Sequence, residues 1–177
     1  MGKTTVSTRY AKALFQLSSS NNNSEQVLKE LKIVSSTIKR EDKLFKMVVN
    51  PTIKNNTKQS VFTGLFSREV GSVTMKFLNL VIAKGRASCL LDIIEKYEDI
   101  YNIDKNISVV EVVSAEPIPA EIKETIKEKA RVNGGEILLK EKIDKKLIGG
   151  IVIKRGDLQY DASIRKKINS AKRAFKL

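Results

Sequence analysis

Histidine and tryptophan are absent from this 177-residue chain, cysteine occurs once, and aromatic residues make up only 6% of it. Without histidine there can be no Ser-His-Asp triad, no imidazole base and no zinc site built on imidazole. The single Cys89 can form neither an intramolecular disulfide nor a metal cluster, which points to a reducing compartment. Long apolar runs are missing too. The longest cluster, from Phe77 to Ala83, falls well short of the ~18 residues that cross a bilayer, and Asn79 interrupts it. The opening MGKTTVSTRYAKALF lacks the apolar core of a secretory signal, and Gly2 fails the acylation pattern because Val6 stands where Ser or Thr is needed. Membrane association is therefore expected to run through other proteins. Neither GxxxxGK[ST] nor GxGxxG occurs, and Gly2-Lys3-Thr4 imitates only the end of a phosphate loop. No cofactor is expected.

Positive charge is what the chain has in excess. Lys and Arg number 33 against 20 acidic residues, a net +13. Such a surplus attracts phosphate surfaces, so a basic RNA- or ribosome-associated adaptor is one reading. The charge is smeared, however: residues 1–105 carry 17 basic and 10 acidic side chains, and residues 106–177 carry 16 and 10. Few aromatics interleave with it. A Lys-, Asn- and Ile-rich sequence can also be basic through base composition alone.

Periodicity predicts six helices first. Val6, Tyr10, Ala13, Leu14 and Leu17 form one stripe, and the polar SSSNNNS segment from Ser18 breaks it. A second helix presents Val27, Leu28, Leu31, Val34 (or Ile33) and Ile38. A short helix around Leu44–Val48 must stop before Asn50-Pro51, since proline pushes its predecessor out of the α region. Val61, Phe62, Leu65 and Phe66 mark the fourth. The fifth is apolar on more than one side, at Val73, Phe77, Leu78, Leu80, Val81 and Ile82, with Gly85 as its C-cap. The sixth groups Leu90, Ile94, Tyr97 and Tyr101. A β-branched strand over 107–115 changes the pattern. Next come a helix over 120–132 with Ile122 and Ile126 inward, an Asn133-Gly134-Gly135 stop, and a strand over 136–141. Strands at 149–155 and 158–161 flank the two-residue turn Gly156-Asp157. A closing amphipathic helix carries Ile164, Ile168, Ala171 and Phe175. The predicted class is α+β: a helical bundle over 1–104, then a smaller α/β domain with a small sheet over 105–177.

Asp144, Asp157 and Asp161 could pair as carboxylates for an enzyme, yet turn and cap positions favour Asp for local backbone hydrogen bonds. Gly149-Gly150 suggests a bulge or a close backbone approach. Arg86 reads as a solvated charge or a brace to a carboxylate. Arg165, Lys166, Lys167, Lys172, Arg173 and Lys176 could face phosphate, but cations near a helix C-terminus also answer its dipole. Apolar surface beyond what one bundle hides fits an incoming amphipathic helix.

Several segments, in order, resemble the δ subunit of bacterial and plastid F-type ATP synthases, the equivalent of the mitochondrial oligomycin-sensitivity-conferring protein. They are Arg9-Tyr10-Ala11-Lys12-Ala13-Leu14-Phe15, Asn50-Pro51 with Lys58, and Phe77-Leu78-Asn79-Leu80-Val81 with Lys84-Gly85-Arg86. The fourth is Ile143-Asp144-Lys145-Lys146-Leu147-Ile148-Gly149-Gly150, followed by Gly156-Asp157 and Asp161-Ala162-Ser163-Ile164. Around Ala83–Arg86 the chain is one residue shorter than that pattern, and Arg86-Ala87-Ser88-Cys89 is more polar. The resemblance implies a non-catalytic stator subunit, peripheral on the cytoplasmic face of a bacterial membrane or the stromal face of a thylakoid. It implies a helical domain that binds N-terminal segments of the α subunits, and a C-terminal domain that contacts the b subunits. The head-binding groove would lie between the first and fifth helices, with Tyr10, Ala13, Leu14 and Leu17 on one side and Leu78, Val81 and Ile82 on the other. Ile164 and Ile168 would meet b. Asp144, Gly149, Gly150, Gly156, Asp157 and Asp161 would be structural.

Overall fold

The computed structural model describes residues 3–130, 135–156 and 158–174. The expectations placed on Gly2, Val132, Asn133, Gly134, Asp157, Phe175 and Lys176 lie outside the described residues, as do the side chains of Ala171, Lys172 and Arg173. The chain divides into two compact units, Met1–Tyr101 and Asn102–Leu177.

The first unit is helical: α1 (Lys3–Ser20), α2 (Ser24–Arg40), α3 (Asp42–Val49), α4 (Asn55–Phe66), α5 (Ser72–Ala83) and α6 (Leu90–Asp104), with a 3-10 turn, Ala87–Cys89, before α6. The helix ends follow from specific backbone geometry. Asn22 takes φ 54°, and its N–H bonds to Ser19 O while that of Asn23 bonds to Ser18 O. This paired pattern is the Schellman ending, with Asn where Gly is commoner. Gly85 repeats it at φ 67°, with its N–H on Ile82 O and that of Arg86 on Val81 O. Past α3, Asn50 is extended as the following proline requires. The buried Lys58 ammonium then reaches back to donate to Val48 O at 3.0 Å and Asn50 O at 2.7 Å. It caps the end of α3, and burial lowers its pKa below the ordinary lysine value.

Leu14, Leu31, Ile38, Phe62, Phe66, Leu78, Ile82, Leu90 and Tyr97 are almost wholly buried at the centre of this unit. Tyr97 also carries a polar load. Its hydroxyl meets Ser18 Oγ at 2.7 Å and donates to Ser24 O at 3.1 Å, tying α6 to the α1–α2 turn. The carboxylate of buried Glu30, on α2, accepts from Thr74 Oγ1 in the first turn of α5 and from Gln26 Nε2. A carboxylate there answers the positive end of a helix dipole.

One expectation about facing is corrected, that of Ile122. The core side of α1 is Ser7, Ala11, Leu14 and Ser18, all buried, while Ala13 and Leu17 are exposed. Small side chains on the core side let neighbouring helices approach closely, which turns most of the predicted stripe outward. In the second unit Ile122 is 46% exposed, and only Ile126 of that predicted pair is buried.

The second unit comprises β1 (Ile107–Ser114), α7 (Ala120–Ala130), β2 (Glu136–Ile143), β3 (Ile151–Arg155), β4 (Leu158–Asp161) and α8 (Ile164–Ala174). Its sheet runs β2-β1-β3-β4. β1 and β2 are parallel, as a helical crossover through α7 demands, and the remaining pairs are antiparallel. Val110, Val112, Ile118 and Ile126 are its buried cluster, flanked by Ile137, Leu139, Ile151 and Ile153.

Candidate partner-binding surfaces

On the helical unit, α1 and α5 leave a trough between them of about 420 Å³, lined by Arg9, Tyr10, Ala13, Leu14, Leu17, Phe77 and Leu80. The two helices form it because each spends a different face on the core. α5 turns Thr74, Leu78, Val81 and Ile82 inward, all at 0% exposure, which leaves Leu80 48% exposed beside Phe77. α1 turns Leu17 outward at 53% exposure. The Tyr10 ring meets Phe77 edge-on, 6.4 Å between centroids at 67°. Arg9 is the charged residue among the lining side chains.

The structure thus gathers all four α1 residues expected at this groove. It corrects the other wall. Leu78, Val81 and Ile82 lie wholly in the core, where no partner can reach them, and Phe77 and Leu80 take their place. Phe77 and Leu80 belong with Val73 to a stripe at helical spacing that interleaves with the core stripe, so spacing alone does not choose between the two.

The C-terminal signature resolves into local geometry. Asp144 Oδ1 accepts from Lys146 N at 3.0 Å, capping a 3-10 turn, Lys145–Leu147. Ile148 then takes φ 67°, a strained setting for a β-branched residue. Gly149 and Gly150 precede β3 instead of entering it. A Cβ on Gly149 would stand 2.7 Å from Ile164 Cδ1, and one on Gly150, at φ 77°, would collide with the Ala162 carbonyl. That is a close approach, not a bulge. Asp161 Oδ1 accepts from Ser163 N at 2.9 Å, and Ser163 Oγ accepts from Lys166 N at 3.1 Å as the N-cap of α8. The bonds from Ser163 hold the Asp161 carboxyl below its ordinary pKa. Gly156, at φ 55°, turns β3 into β4. Asp144 and Asp161 do line one cleft, of about 430 Å³, together with Lys154, Arg165 and Lys166. Both are committed to backbone N–H groups, the arrangement of turn caps. Ile164 and Ile168 are 43% and 41% exposed, Arg165, Lys166 and Lys167 are exposed along α8, and Arg86 is exposed after α5.

Elsewhere in this unit Glu141 accepts from Ile118 N at 2.7 Å and pairs with Lys123 at 2.6 Å. The Lys123 contact, and then the Ile118 bond, hold its carboxyl below the ordinary range. Among the described residues no helix is long and apolar enough to cross a membrane.

A helical unit with an apolar trough and a cap-stabilised α/β unit together define an α+β protein. The family model for the ATP synthase delta (OSCP) subunit matches residues 6–175, and the chain belongs to that family. It is 30% identical over 175 residues to an ATP synthase subunit delta of Cytophaga hutchinsonii, covering 99% of this chain and 96% of the relative. Against the subunit delta of Christiangramia forsetii identity is 31% over 177 residues, with 99% and 96% covered. The cyanelle subunit delta of Cyanophora paradoxa is 32% identical over 157 residues, with 88% and 84% covered. A chain of the Toxoplasma gondii mitochondrial ATP synthase hexamer has the same fold, with a TM-score of 0.74, 20% identity and 97% of each chain covered. The function that follows from membership is that of a peripheral-stalk subunit of an F-type ATP synthase. The reading as an RNA adaptor finds no support. The family's role is structural, in keeping with a non-catalytic chain.

Proposed function

We propose that this chain holds the catalytic head of its ATP synthase to the membrane-anchored stalk. The helical unit acts as a six-helix bundle that sits on the head and receives an N-terminal segment of an α subunit in the α1–α5 trough. The observation that carries this is the trough itself, open and apolar, with Leu17 and Leu80 half exposed beside Tyr10. An amphipathic helix laid there buries its apolar face at about 25 cal/mol per Å² before association costs. Tyr10 is the anchor, since it combines a large apolar area with a hydroxyl that can stay wet. The C-terminal unit contacts the b subunits, with Ile164 and Ile168 as expected tail contacts. The setting is the cytoplasmic face of a bacterial membrane, or the stromal face of a thylakoid.

Torque on the head must be resisted at two slow-dissociating contacts, and a connection between two modules can flex without opening either. Calorimetry of the full chain with an α-subunit N-terminal peptide tests the head contact. Tyr10→Ala is expected to weaken binding by about 2 kcal/mol. Unchanged affinity removes Tyr10 from the site.

A further inference from the structure

The charges of the helical unit are sorted by helix. Residues 1–105 hold 10 carboxylates, and five of them, Asp92, Glu95, Glu98, Asp99 and Asp104, stand on α6. Two of these pair with lysines of α2, Glu98 with Lys32 at 3.4 Å and Glu95 with Lys39 at 3.5 Å. Asp99 pairs with Lys96 on its own helix at 2.8 Å. The two helices that wall the trough hold no acidic residue at all. Their described charged side chains are positive and exposed: Arg9 and Lys12 on α1, and Lys76 on α5, with Lys84 just past its end. Among the described residues none of these four makes an ion pair.

Helical spacing sets these cations along both rims of an apolar floor. Arg9 lines the trough beside Tyr10, and Lys12 follows it by three positions on the same side of α1. On α5, Lys76 precedes Leu80 by four positions and Lys84 follows it by four, so they flank the exposed leucine. Ala13, Leu17, Phe77 and Leu80 lie between the rims. The carboxylate at the start of α5, Glu30, is buried and accepts from Thr74 and Gln26. A single exposed lysine is ordinarily just solvated, and basic composition alone scatters both signs. Here the one-signed stretch coincides with the apolar recess, while the carboxylates gather on α6. Charges of one sign around a recess raise the local concentration of the opposite sign and act more strongly once a seated helix excludes water.

We infer that the trough selects its occupant by charge as well as by apolar fit. The helix it takes carries carboxylates on both flanks of its apolar stripe, one flank meeting Arg9 and Lys12 and the other meeting Lys76 and Lys84. These four cations are specificity determinants: they steer an acidic amphipathic helix into the recess and disfavour a basic one. This rests on the reading of the trough as the head contact and names the chemistry that the contact selects.

The test uses the full chain and a synthetic peptide of the N-terminal segment of its α subunit, with affinity from calorimetry and association rate from stopped flow. Wild-type affinity is expected to fall about tenfold between ~0.05 M and ~0.5 M salt, mostly through slower association. The double variant Arg9→Glu with Lys76→Glu should bind at least about tenfold more weakly at low salt and approach wild type at high salt. Lys12→Glu with Lys84→Glu should do the same; all four positions are exposed, and circular dichroism checks that the fold persists. Tyr10→Ala should weaken binding at both salt concentrations and keep the wild-type salt dependence, since its contribution is apolar. Wild-type binding that ignores salt overturns the inference, as does wild-type affinity at low salt in both double variants. Phosphatidylglycerol vesicles that displace the peptide from the wild type but not from the double variants overturn it too, since a lipid surface then claims the rims. Absence of peptide binding by the wild type at any salt concentration refutes the parent reading, a result distinct from binding that is indifferent to charge.

Discussion

The two units solve the same problem, hiding apolar side chains, to different degrees. In the helical unit Tyr97, Phe62, Phe66, Leu31 and Ile38 are closed off almost completely, and polar braces from Lys58, Glu30 and Tyr97 tie distant helices together. Its exposed apolar residues at the trough gather in one recess. The α/β unit buries a core of Val110, Val112, Ile118 and Ile126 and leaves Ile148, Leu158 and Tyr160 mostly in water. The helical unit still exposes Ile33, Phe45, Val49 and Leu65 outside the trough, but the α/β unit leaves a larger share of its apolar side chains in water. Stability and binding should therefore separate cleanly in the first unit and overlap in the second.

The sharpest break comes from the helical core. Phe62→Ala should destabilise the protein by about 3–5 kcal/mol, read as a fall in the denaturation midpoint. A loss below about 1 kcal/mol would mean that this core is far looser than its burial implies. Next is the brace after α3. Lys58→Met removes the donor to two carbonyls and should cost about 1–3 kcal/mol while leaving α-peptide affinity near wild type. The signs differ for Gly64, exposed inside α4 with nothing within 4 Å of a Cβ placed there. Gly64→Ala should raise stability by about 0.5–1 kcal/mol, seen as a higher melting temperature.

The smallest effect is acid sensitivity of the α/β unit. Glu141 and Asp161 both titrate below their ordinary values of 4.5 and 3.8 when folded. The unfolded chain therefore takes up these protons first, so their contribution is complete above the ordinary values and disappears as pH falls through the lowered ones. Melting temperature followed from neutral to strongly acidic pH should fall in that window. Glu141→Gln should flatten part of the fall, and an unchanged acid limb would show that the Lys123 and Ile118 contacts do not bear on folding.

Legibility in the sequence followed the range of the interaction. Stops written in local chemistry were readable: the Asn run after α1, Asn50-Pro51, and Gly85 after α5 all act through the backbone within a few residues. The apolar stripe of α1 was readable from its spacing, but its place at a groove came only from the family resemblance. The α5 wall was not readable, because two apolar stripes interleave over Val73 to Lys84, and only tertiary packing decides that Leu78, Val81 and Ile82 take the core. Lys58 gave no sign of being a buried cap, since its partners are carbonyls eight and ten positions away. The strand order β2-β1-β3-β4 was hidden too, since residue spacing does not encode which strands pair.

Backbone and methyl NMR of the full chain, titrated with an α-subunit N-terminal peptide, tests the socket most directly. The account predicts that Tyr10, Ala13, Leu17, Phe77 and Leu80 respond together while Leu158 and Tyr160 stay still. Responses centred instead on the groove of Leu44, Met47, Val61 and Leu65, with the α1–α5 trough silent, would contradict it.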